Sequence, residues 1–81
     1  MDEEYGRLVI HLPELLEKAG LNRNQLTHKA EMSWNQVNSY CENTITRLDS
    51  FVLCKLCTVL NCRIQDLLEF IPYDETEAEN E

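Results

Sequence analysis

The chain has 81 residues, 43% of them hydrophobic but only 7% aromatic, and a formal net charge of −8. That length allows one domain with a modest core built mainly from Leu, Ile, Val and Cys, and it is too small for most enzyme clefts. No apolar run approaches the ~20 residues of a membrane span, and the acidic start Met1-Asp2-Glu3-Glu4 lacks the basic and apolar regions of a signal peptide, so a cytoplasmic protein with no membrane partner is expected.

Acidity is concentrated at the ends. Asp2, Glu3, Glu4, Asp74, Glu75, Glu77, Glu79 and Glu81 hold 8 of the 15 acidic residues, and between Tyr5 and Tyr73 seven acids face seven bases. The body is therefore neutral overall and can present a locally positive face. This divides the chain into an acidic extension (1–6), a folded domain (7–73) and an acidic tail (74–81) that is expected to be disordered, having lost its apolar residues.

In chain order, Leu8-Val9-Ile10 reads as a short strand ahead of Pro13, which suits the first turn of a helix. Helix one spans 13–19 with Leu12, Leu15, Leu16 and Ala19 on one face and stops at Gly20, a left-handed cap. Asn22 caps helix two (23–30), and Ser33 caps helix three (34–42). A polar loop follows from Asn43 to Leu48. Asp49 then caps helix four, whose Val52, Leu53, Leu56, Cys57, Val59 and Leu60 form a broad buried stripe. Asn61 ends that helix in a left-handed turn, residues 63–68 make a short fifth helix, and Phe70-Ile71-Pro72-Tyr73 is extended enough to pair with residues 8–10. The fold class is all-α, a five-helix domain flanked by a short two-stranded pairing of its terminal segments.

Helices two and three carry the functional signal. Leu26 and Ala30 share one face of the first, and Val37, Tyr40 and Cys41 recur at i, i+3 and i+4 in the second, with Met32 in the turn between them. Opposite Val37 stand Asn35 and Ser39, flanked by Trp34, Gln36 and Asn38. Amide-rich side chains of this kind pair donor and acceptor with a base edge.

Leu26, Ala30, Met32, Val37 and Tyr40, in that order and spacing, resemble the helix-turn-helix template of the Cro/repressor-type (XRE-type) family of bacterial and phage regulators. Residues 56–62, followed by Asp66-Leu67-Leu68-Glu69-Phe70, are similar to the ending of its small five-helix members. The resemblance covers roughly residues 8–73. It implies a repressor-like domain whose residues Trp34, Asn35, Gln36, Asn38 and Ser39 enter the major groove of double-stranded DNA. By the same resemblance Arg23, and the loop that holds Arg47, contact phosphate. Lys29 joins them by its position near the groove. Two departures stand out. Glu31 occupies the turn where the family usually has glycine, which predicts a differently shaped turn, and Thr27 is bulkier than the usual alanine, which predicts a slightly wider crossing.

Each reading has a plainer counterpart. Asn35, Gln36, Asn38 and Ser39 could be an ordinary solvated face, and Trp34 could stack on sugar, touch a thymine methyl, or pack against helix two or a partner subunit. Three cations per subunit are a thin electrostatic footprint, so a homodimer on a pseudopalindrome is expected, with the terminal strands and helix five as candidate interfaces. Cys54 and Cys57 form C-x-x-C, but in mid-helix rather than in a zinc knuckle, so Cys41, Cys54, Cys57 and Cys62 read as buried small hydrophobes. His11 and His28 are singletons with solvated or capping roles. No metal, cofactor or catalytic site is expected. The function reads as a sequence-specific transcriptional regulator. The alternatives are an antitoxin-like or antirepressor module using the same fold for protein contact, or a metal or thiol switch.

Overall fold

The computed structural model of the chain describes residues 5–73. Within them β1 (Arg7–Ile10) leads into α1 (Leu12–Ala19), α2 (Arg23–Ala30), α3 (Trp34–Glu42), α4 (Ser50–Leu60) and α5 (Ile64–Leu67), and β2 (Leu68–Ile71) closes the order. The expected tail, residues 74–81, lies outside this range.

Polar side chains start the helices. Asn22 Oδ1 accepts from the Gln25 N–H (2.7 Å) while Gln25 Oε1 accepts from the Asn22 N–H, and Ser33 and Gln36 repeat this reciprocal box at the start of α3. Asp49 accepts from the Phe51 N–H to open α4. The first four helices all stop on a left-handed residue, namely Gly20, Glu31, Asn43 and Asn61. After Gly20, Leu21 donates back to the Leu16 carbonyl and turns its side chain onto the core.

The core is a single cluster. Leu12 and Leu16 of α1, Leu26 and Ala30 of α2, Val37, Tyr40 and Cys41 of α3, Val52 and Leu56 of α4 and Leu67 of α5 are buried together with Ile10 and Met32. Tyr40 is buried with its hydroxyl accepting from the Asp49 N–H, so the one polar atom it carries inward is satisfied at the start of α4. Of the expected α4 stripe, Val52 and Leu56 are buried and Leu53, Cys57, Val59 and Leu60 pack half-buried around them.

Five expectations are corrected at the level of the fold. Helix one begins at Leu12, one residue earlier than read, with Pro13 inside its first turn and His11 ahead of it. Helix five ends at Leu67, because Leu68 pairs with Ile10. The antiparallel register Arg7↔Ile71, Leu8↔Phe70, Val9↔Glu69, Ile10↔Leu68 shifts the second strand two residues earlier than 70–73. A single helical turn makes few hydrogen bonds of its own, and the ladder with β1 outcompetes its extension. Next, the turn between α2 and α3 is not reshaped: Glu31 adopts the left-handed conformation (φ 54°) itself. Lys55 of α4 donates to the Glu31 carbonyl at 3.2 Å, placing a cation at the C-terminus of α2. Finally, Cys54 is exposed, so the thiols are not uniformly buried.

One sequence feature not read as structural ties the sheet to the helices. The Asn43 side chain, at the end of α3, accepts from the Ile10 N–H (2.6 Å) and donates to the Ile10 carbonyl (3.1 Å), as a neighbouring strand would. At the other end of β1 Gly6 is left-handed, and a β-carbon there would run into the Ile71 carbonyl oxygen.

Candidate nucleic-acid interface

The geometry of α3 follows from its packing on α2. Val37 and Tyr40 are buried against Leu26, Ala30 and Met32, so the residues between them must face away from the core or along its margin. Trp34 is 51% exposed and Asn35 is also exposed, whereas Gln36, Asn38 and Ser39 are half-buried.

These side chains differ in what they already hold. Gln36 Oε1 accepts from the Ser33 N–H at 3.4 Å, which commits its acceptor to the start of its own helix. Asn38 Oδ1 accepts from Arg23 Nη1 at 2.7 Å, and the same Nη1 lies 3.1 Å from Glu42 Oε2. Arg23, the first residue of α2, is thus bound to the middle and the end of α3. Lys29, in the last turn of α2, and Arg47, in the loop between α3 and α4, are exposed, and no polar contact among the described residues joins them to the other candidates.

Glu42 is the participant that the sequence reading missed. Its position four residues after Asn38 puts both on one helical face, which is legible from spacing; that this face meets Arg23 is not. The Cys41 thiol, buried on the same helix, is pushed up from its ordinary value mainly by burial, with Arg23 acting in the opposite direction. His11 was read as solvated or capping. In the structure its Nε2 lies 2.7 Å from Glu69 Oε1 and its Nδ1 3.7 Å from Glu14 Oε2, away from α3, and no side-chain cap is made. Among the described residues no group of three or more His, Cys, Asp or Glu is placed to hold a metal ion, and no helix is long and apolar enough to cross a membrane.

Comparison with known proteins identifies the family of the domain and its fold. No curated protein matches the chain. Among solved structures, the crystal structure of the transcriptional regulator VanUg (Form II) superposes with a TM-score of 0.68 at 22% identity, covering 84% of this chain and 89% of that one, which shows a shared fold. Residues 11–73 match the Cro/C1-type HTH DNA-binding domain, a span that runs from the start of α1 past β2 and includes both helices of the motif. The chain therefore belongs to the Cro/C1-type helix-turn-helix family of DNA-binding domains.

Proposed function

We propose that the protein is a cytoplasmic, sequence-specific transcriptional regulator that reads the major groove of double-stranded DNA through α3. The observation that carries this reading is the uncharged polar face of α3, held outward by buried Val37 and Tyr40 in a domain of the Cro/C1 family. Trp34, Asn35 and Ser39, with the free amide groups of Gln36 and Asn38, meet base edges. Lys29 and Arg47 hold phosphates, and Arg23 joins them with the three guanidinium donors that Nη1 does not supply. A twofold homodimer on a pseudopalindromic site doubles this small set of cations.

The charge distribution supports the same reading. The negative charge sits in the terminal segments, and the body between Tyr5 and Tyr73 is neutral. Titrating the protein with random-sequence duplex at rising salt tests the proposal. Two subunits with three phosphate contacts each give a log–log slope of about −5. Absence of binding at low salt would instead assign the fold to protein contact.

A further inference from the structure

Arg23 has a second consequence for the proposed reading of DNA, and it acts through Asn38. A guanidinium carries only donors, so the amide atom that faces Arg23 Nη1 at 2.7 Å must be the oxygen of Asn38. This contact joins a cation to a neutral acceptor, and bonds of that kind are roughly twice as strong as neutral ones. Glu42 Oε2, 3.1 Å from the same Nη1, accepts from that nitrogen as well. This cluster joins half-buried Arg23 and Asn38 with exposed Glu42 across two packed helices, so its geometry is set before any DNA arrives.

An unconstrained asparagine recognises adenine by accepting from N6 and donating to N7 at once. Asn38 is a poor partner for that combination, because one lone pair of its oxygen is held by Arg23 and an adenine N6 amino group seeking the other would approach the positively charged guanidinium. What remains is an amino group with two donors. The base edge that presents two acceptors in the major groove is guanine, through N7 and O6.

We propose that Arg23 is a positioning residue for sequence choice: by holding Asn38 Oδ1 it converts Asn38 into a donor-only reader that selects a G·C pair over an A·T pair at one position of each half-site. This rests on the proposed major-groove reading, and the experiment below separates the two.

Selection from a random duplex pool, run in parallel on the full-length protein and three variants, reads the preference directly. The wild-type site is expected to contain one position with guanine favoured over adenine by about tenfold, the discrimination typical of one side-chain pair. Asn38→Ala flattens that position and no other. Arg23→Met keeps the aliphatic stem and frees Oδ1, so the preference at that position moves to adenine. Asn38→Asp retains the Arg23 contact but offers only an acceptor, which moves the preference to cytosine, the base with an exposed amino donor. Asn38→Asp thus tests whether residue 38 reads a base, and where Arg23→Met fails to fold, Arg23→Lys, which keeps the charge but loses the planar fork, is expected to weaken the guanine preference at the same position. An adenine preference at the Asn38-dependent position of the wild type would overturn the proposal, as would an unaltered guanine preference in a folded Arg23→Met variant. Loss of duplex binding by the wild type itself would overturn the underlying DNA reading together with it.

Discussion

Asn43 is where a single side chain joins the terminal sheet to the end of the helix-turn-helix, and its removal has a calculable cost. Its amide makes two hydrogen bonds to the Ile10 backbone, at 2.6 and 3.1 Å, and its own backbone is left-handed (φ 61°). A net hydrogen bond contributes about 1 kcal/mol, and because Asn43 is exposed, water takes over part of its role on substitution, so about 1.5 kcal/mol is at stake for the pair. Alanine in a left-handed conformation costs roughly 1 kcal/mol more than asparagine, which tolerates it. Asn43→Ala therefore destabilises by about 2.5 kcal/mol, and Asn43→Gly, which keeps the backbone conformation and loses only the amide, by about 1.5 kcal/mol. A domain of this size shifts by roughly 4–8 °C per kcal/mol, so thermal unfolding followed by far-UV circular dichroism should drop by roughly 10–20 °C for alanine and by roughly half as much for glycine. An alanine variant melting within about 3 °C of the wild type would show that the Asn43–Ile10 contact is dispensable. Equal losses for alanine and glycine would remove the backbone part of the argument.

Three further perturbations test separate features. The His11 pKa is raised, first by its hydrogen bond to Glu69, against a lowering by burial, with the Glu14 charge adding to the rise. A raised folded value means stabilisation that is complete below the unfolded value of about 6.5 and is lost as pH climbs through the folded one, so His11→Gln should cost roughly 0.5 kcal/mol near pH 5.5 and nothing near pH 8.5. A cost that stays constant across that range would rule out the ion pair. Glu31→Gly should stabilise by about 0.5 kcal/mol, since it removes the left-handed penalty, less its own backbone entropy, and leaves the carbonyl that accepts from Lys55; a lower melting temperature would contradict this. Under native conditions a thiol-reactive probe should modify Cys54 quickly and Cys41 only on unfolding, and fast labelling of Cys41 would place it outside the core.

The parts of the fold legible in the sequence are those governed by local rules. Leu26, Ala30, Val37 and Tyr40 were read as one buried set from helical spacing, Met32 was placed in the turn between them, and Asn22, Ser33 and Asp49 were read as caps from residue type. All eight behave accordingly, because helical periodicity and capping act within a few residues. The errors fall where distant segments decide. Leu68 follows a helical turn and is apolar, so its local sequence favours extending α5, yet its partner Ile10 lies 58 positions away and captures it in the sheet. Glu31 looked unfit for a left-handed turn, and the cation that settles on its carbonyl arrives from Lys55 in α4, 24 positions on. Asn43 was read as loop polarity, although its two partners are both at Ile10.

The candidate site shows the same division on a smaller scale. Composition placed Asn35, Gln36, Asn38 and Ser39 together as equivalent polar readers, since residue type alone cannot distinguish a free amide from an engaged one. Packing makes them unequal. Gln36 is drawn back to Ser33 by the box that starts α3, and Asn38 is drawn sideways by Arg23 at the start of α2, while Asn35 projects to solvent. Local rules could reveal the first of these, because Ser33 and Gln36 stand three apart. The second needs the crossing of α2 on α3. The polar row on α3 thus carries two kinds of information: which donors and acceptors exist, written in the sequence, and which of them remain unengaged, decided by the neighbouring helix. That second layer ties the Asn38 oxygen to Arg23, a residue first read as a phosphate contact, and in the proposed reading it makes Arg23 the group on which the hydrogen-bonding sense of Asn38 depends.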